Sequence, residues 1–194
     1  MPTVALTGNI GYILRSDMLQ ENLISHPIPW SRLRTFDAYG TLLPATPGDD
    51  DLGLVGGTIG TASPVVKSTT ASTTTVTQKL RFEGILGEDY IAAGRCYVRI
   101  HCRVEVAAQV SATVDVSAYE SDNEAGMSAD LCITGATSIN NDTWTSRDFV
   151  LTATALDVGS RLDVLVTVAA DDTGGTNACI ANIGSIELLY DTKG

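Results

Sequence analysis

The chain has 194 residues, with 12 Lys and Arg against 23 Asp and Glu and a formal net charge of -11. That length suits one domain with a sizeable core, since a globule of this size buries about 70% of the surface its unfolded chain exposes. So acidic a chain repels polyphosphate, so no nucleic-acid partner is expected, and no apolar run approaches the length of a membrane span.

The opening MPTVALTGNIGYILRS has no basic region before an apolar run and no small-residue cleavage pattern. A signal peptide is therefore not expected, and the product is expected to be soluble and made in the cytoplasm. Residues 1–45 carry no net charge, Arg15, Arg32 and Arg34 balancing Asp17, Glu21 and Asp37. Ser16 is placed to cap a short helix through Leu19 and Leu23, which Pro27 and Pro29 end. Ile10, Tyr12, Ile13, Leu14, Ile28, Trp30, Leu33, Phe36, Tyr39, Leu42 and Leu43 give this stretch too much apolar surface for a solvated tail. It reads as an extended arm with at most a short helix. Either it folds back on its own domain or, with a reach on the order of 100 Å if extended, it runs over a neighbouring subunit or larger surface. In the second case Tyr12, Leu14, Leu19, Leu23, Trp30, Leu33 and Phe36 are the interface.

The segment GDDDLGLVGGTIGTASP, residues 48–64, sets Asp49, Asp50 and Asp51 ahead of four glycines, Gly53, Gly56, Gly57 and Gly60. A GxxxxGK[ST] phosphate loop needs a lysine after its last glycine, but Thr61 follows Gly60 and no helix is evident. The aspartates read as a solvated boundary. Leu52, Leu54 and Val55 read as a hinge and entry strand that begins a body spanning 46–194, and the glycines allow close passage of neighbouring backbone.

The body reads as strands. In YVRIHCRVEV the apolar Val98, Ile100, Cys102, Val104 and Val106 alternate with Arg99, His101, Arg103 and Glu105, the period of a strand buried on one face. QVSATVDVSAYE repeats the pattern through Val110, Ala112, Val114, Val116 and Ala118, and RLDVLVTVAAD through Leu162, Val164, Val166 and Val168. TQKLRFEGIL, DTWTSRDFVLTAT and CIANIGSIELLYD are weaker candidates, joined by Gly, Asp, Asn and Ser turns. The Thr-rich KSTTASTTTVTQK, residues 67–79, fits either a loop or an exposed edge strand. Six to eight such strands predict an all-β fold, an antiparallel β-sandwich of jelly-roll type.

Catalytic material is sparse. A nucleophile needs an adjacent base, yet His26 lies in the arm and His101 on a regular strand, facing solvent or an interface. Trp144, Tyr119 and Tyr97 read as structural aromatics, too few to line a sugar cleft. Cys96, Cys102, Cys132 and Cys179 lack CxxC or histidine spacing, so free buried thiols are expected, with one disulfide as the alternative. SDNEAGMSAD offers Asp122, Glu124, Ser128 and Asp130 around Gly126, but its glycine is one position early for an EF-hand loop. ADDTGG, with Asp171 and Asp172, reads as a turn. No metal and no cofactor is expected, and no enzyme.

The segments DDDLGLVGGTIGT, ATVDVSAYESDNEAGMSADLC, TSINN and IGSIELLYDTKG resemble head-region proteins of tailed bacteriophages, of the decoration or cement type. The resemblance runs from LRTFDAYGTLLP to the C-terminal LLYDTKG. It implies a non-enzymatic β-sandwich, often a homotrimer, seated on the outer surface of the virion capsid against the major capsid protein and stabilising the assembled head. It brings no catalytic residues. A receptor- or glycan-binding module on a virion or cell surface is the alternative, because sandwiches commonly carry such sites.

Overall fold

A computed structural model describes residues 22–105, 111–121, 126–172 and 178–193. Among these residues ten strands form two antiparallel sheets: β1 (Leu23–Pro27), β2 (Gly53–Val55), β3 (Val65–Lys67), β4 (Thr75–Ile85), β5 (Cys96–Val104), β6 (Ser111–Ser121), β7 (Thr137–Ser138), β8 (Thr145–Val150), β9 (Arg161–Asp171) and β10 (Ala181–Asp191). The larger sheet runs β2-β3-β10-β5-β8, with β1 also paired to β10, and the smaller runs β4-β9-β6-β7. The chain is an all-β, jelly-roll-like sandwich, as its alternating strands predict.

The alternation works because one face of each sheet meets the other sheet and one meets water. From the larger sheet Val98, Ile100, Cys102, Phe149, Ile186 and Leu188 point inward; Leu80, Phe82, Val114, Val164 and Val166 face them from the smaller one, and all are fully or almost fully buried. Each such aliphatic or aromatic group contributes about 1.5–3 kcal/mol through burial. The smaller sheet is the more regular: β4 on β9 and β6 on β9 keep unbroken register over eleven residues each. The larger sheet has a shift of register between Ile183 and Ser185, where β10 crosses β5.

Part of the expected arm belongs to this body. Residues 23–27 are a strand, paired from Leu23 opposite Asp191 to Pro27 opposite Glu187, so no helix reaches Leu23. A short 3-10 turn, Trp30–Arg32, follows. Leu33 is fully buried, Ile28 and Leu43 nearly so, all in the common core, and Trp30 packs partly buried against it. Phe36 lies beneath Lys79, whose ammonium is 4.2 Å from the ring centre. The boundary drawn at residues 45 and 46 is therefore not a physical break: 22–45 complete one sheet and close the core. Leu33 is a core residue and has no surface to offer a partner. Tyr12, Leu14 and Leu19 lie outside the described residues.

The acidic run at 49–51 is a fastening. The Phe36 amide donates to Asp51 Oδ1 at 3.1 Å, and the Lys79 amide to the Asp50 carbonyl at 2.8 Å. Buried Gln78 donates to the Gly48 and Asp51 carbonyls and accepts from the Thr69 amide at 2.6 Å. These bonds, with the reciprocal pairing of Arg34 and Arg81, cover the middle of β4's outer edge at Lys79 and Arg81 and shorten its open row of donors and acceptors. Gly53 permits the approach, since a Cβ there would stand 2.3 Å from the Pro47 nitrogen. The Thr-rich tract resolves into the end of β3, a connection and the start of β4.

Candidate functional site

The outer face of the larger sheet carries a groove of about 370 Å³ at the β3–β10–β5 crossing. Register builds it: Arg103 stands opposite Asn182, and His101 opposite Ser185 on β10 and Ser146 on β8. These are the outward positions of the alternating YVRIHCRVEV, whose inward partners fill the core. Lys67 enters from β3, Glu105 follows β5, and Ser63 and Pro64 form one wall.

Trp144, just ahead of β8, is the aromatic element, and 40% of its surface stays exposed. Its ring leans on His101 with centroids 5.3 Å apart and planes at 49°, while the Arg103 guanidinium carbon lies 5.0 Å from it. Space for the ring comes from Gly184, at the register shift of β10. A Cβ there would be 2.9 Å from Trp144 Cζ3 and 3.1 Å from Cη2, closer than side-chain atoms pack. The missing side chain and the bulge together let the indole lie against the sheet.

The polar rim is partly committed and partly free. Lys67 Nζ meets Glu105 Oε1 at 2.5 Å, and Asn182 Nδ2 donates to the same oxygen at 3.1 Å. The Lys67 bond, above all, holds the Glu105 carboxyl below its ordinary range. Asn182 Oδ1 and Arg103 Nε are buried and have no hydrogen-bond partner. A buried acceptor and a buried donor left open at one place is unusual, because buried polar atoms are nearly always paired.

Nothing among the described residues joins a nucleophile to a base. His26 stacks on Tyr190 with centroids 4.3 Å apart, and neither histidine hydrogen-bonds a serine or cysteine. Burial pushes the Cys96 thiol up to about 12 and the Cys102 thiol up to about 11, and thiols held protonated in this way are poor nucleophiles. All four cysteines are free. In the acidic loop Asp130 Oδ1 accepts from the Ala118 and Cys132 amides at 3.0 and 2.9 Å, and Ser128 Oγ from the Glu120 amide at 2.9 Å. Both therefore pin the loop to β6; Asp122 and Glu124 lie outside the described residues, and no metal-holding cluster occurs among those described.

Of the residues singled out in the sequence for an interface, Leu23, Trp30, Leu33 and Phe36 lie in the β1 strand and the segment after it, and none lines this groove. His101 does line it. Trp144, expected to be structural, stands in the groove; Tyr119 projects from the other sheet and Tyr97 stands further along β5, opposite Leu189. The signal for the groove was the outward row Arg99, His101, Arg103 and Glu105. Trp144 and Gly184 gave none, because 39 residues of separation hide their contact.

No family model and no curated protein matches the chain. Among solved structures, the chain resembles an arabinose-bound GH51 α-L-arabinofuranosidase at 15% identity and a TM-score of 0.44, covering 89% of this chain and only 25% of that one. The xylan-binding module CBM15 matches at 11% identity and a TM-score of 0.44, covering 89% and 100%. A structure of infectious bursal disease virus, Gx strain, matches at 12% identity and a TM-score of 0.43, covering 90% and 33%. The chain thus spans about a quarter of the arabinofuranosidase and the whole of the xylan-binding module.

Proposed function

We propose that this chain is a non-catalytic binding module that holds a glycan in the Trp144 groove. The observation that carries the reading is a half-exposed indole seated on Gly184 and ringed by Arg103, His101 and Asn182, two of which have buried polar atoms without partners. A sugar has an apolar face of C–H groups bounded by hydroxyls that both donate and accept. A flat aromatic surface with planar polar groups around it complements that pattern, and concave sites with few convergent polar groups are the usual form of a small-ligand site. Affinity electrophoresis tests it: the full chain should be retarded in gels cast with at least one soluble polysaccharide, and Trp144→Ala should run unretarded. Equal mobility of both proteins across a broad panel would refute the reading.

A second reading, attachment to the outside of a virus head, draws on the segment resemblance and on the apolar residues Tyr12, Leu14 and Leu19 in the first 21 positions. Here those residues dock on the major capsid protein, the module associates as a trimer, and binding assembled but not dissociated subunits stabilises the shell by mass action. Hundreds of copies per purified particle support it, and release on deleting residues 1–21 locates the contact. Particles lacking the protein would exclude it.

A further inference from the structure

Resting on the glycan reading, we propose that the sugar held at Trp144 is a carboxylated one, a uronic or sialic acid whose carboxylate meets Arg103. On the outer face of β3, β5 and β10 stand the cations Lys67, Arg99 and Arg103. Arg99 Nε holds Asp148 at 2.6 Å, with a second bond from Nη2 at 2.8 Å, and Lys67 holds Glu105. Arg103 has no hydrogen-bonded or ion-paired carboxylate among the described residues, and Glu105 is the carboxylate within its Coulombic reach. The one hydrogen bond of Arg103 runs at 3.4 Å to the Asp142 carbonyl, and its Nε has no partner.

That distribution is informative in so acidic a chain, where a stray cation has many carboxylates to choose from. Contact with the Trp144 ring, 5.0 Å from its centre to the guanidinium carbon, restrains the Arg103 head before a ligand arrives. A guanidinium fork suits planar, two-oxygen recognition of a carboxylate. Glu105 competes little for it, because its charge is met first by Lys67 and by the Asn182 amide and only last by Arg103. The open Asn182 Oδ1 then accepts from a ring hydroxyl beside the carboxylate. The net charge of -11 does not forbid an anionic ligand: at physiological salt, charges more than about 8 Å away are largely screened, so the local balance decides.

An array printed with matched neutral, carboxylated and sulfated glycans, probed with the full chain, tests the assignment. The carboxylated set should be bound at least about tenfold more tightly than its neutral counterparts, a gap equivalent to about 1.4 kcal/mol. Arg103→Gln should erase that gap, Arg103→Lys should restore part of it, and Trp144→Ala should weaken both sets; unchanged melting temperatures establish that the variants fold. Equal binding of neutral and carboxylated glycans overturns the carboxylate assignment and leaves the glycan reading standing. Preference for the sulfated set, or a carboxylate preference that survives Arg103→Gln, also overturns it. No binding to any glycan brings down both.

Discussion

The two sheets are made from the same kind of strand and have different outer surfaces. In the smaller sheet β4, β9 and β6 run in unbroken register over their whole length, and the middle of β4's outer edge, at Lys79 and Arg81, is covered by residues 34 and 50–52. Phe36 under Lys79 and Tyr39 under Arg81, 4.8 Å from ring centre to guanidinium carbon, lay the segment after β1 against it. The larger sheet is interrupted: β1 and β3 divide one side of β10 between them, and β10 shifts register at Gly184. Regular pairing gives a surface that packs on its own chain, while the irregularity opens the place where an aromatic ring and open polar atoms collect.

The largest test of this contrast removes what both sheets share. A chain beginning at residue 46 loses β1, Ile28, Leu33 and Leu43 together; at about 1.5–3 kcal/mol for each large apolar group that is most of an ordinary domain's stability. It should not unfold cooperatively in urea, and a two-state transition of native steepness would separate 22–45 from the body after all. Leu33→Ala is the milder form, expected to cost about 2–5 kcal/mol because the residue is fully buried. Equilibrium denaturation measures it, and a loss under about 1 kcal/mol would return Leu33 to the surface.

Gly184→Val acts on the irregular sheet alone. The new branched side chain must displace the Trp144 ring, at a cost of about 1–3 kcal/mol in stability and at least about tenfold in glycan binding. Trp144→Ala should reach the same loss of binding with about 1 kcal/mol or less of destabilisation, since the ring is part exposed. If the two variants bind as native does, the bulge is only a fold feature.

The smallest effect is electrostatic. Hydrogen bonds from Lys67 and Arg99 hold Glu105 and Asp148 below the ordinary carboxylate range. Groups depressed in the folded state stabilise it above their unfolded pKa, and the stabilisation is lost as pH falls through the folded value. Lys67→Met and Arg99→Met should therefore flatten the acid limb of the stability curve below about pH 4, each by at most about 1 kcal/mol for such solvent-facing pairs. A steeper acid limb in either variant would contradict the pairing.

The strands that were legible in the sequence are the half-buried ones. β5, β6 and β9 alternate cleanly because one face meets the core and the other water, and β4, β8 and β10 follow more weakly. Missing from that reading were β1, whose LISHP has no alternation and ends in proline, and the two- and three-residue β7 and β3, whereas β2 lies where Leu52, Leu54 and Val55 read as an entry strand. Segments so short carry no period; long-range pairing alone makes them strands. Leu23, Trp30, Leu33 and Phe36 were visible as apolar groups needing cover, and composition does not say whether a chain covers them itself.

Sequence alone determined the sandwich, its inward rows and the outward row Arg99, His101, Arg103 and Glu105, because a two-residue period follows directly from which strand face is dry. Only the tertiary structure decided that Leu33 belongs to the core and that Asp51 is a fastening. It also decided that Trp144 rests on Gly184 beside Arg103. That last juxtaposition depends on β8 and β10 flanking β5 and on a shift of one register step, and pairing between distant strands leaves no periodic trace along the chain.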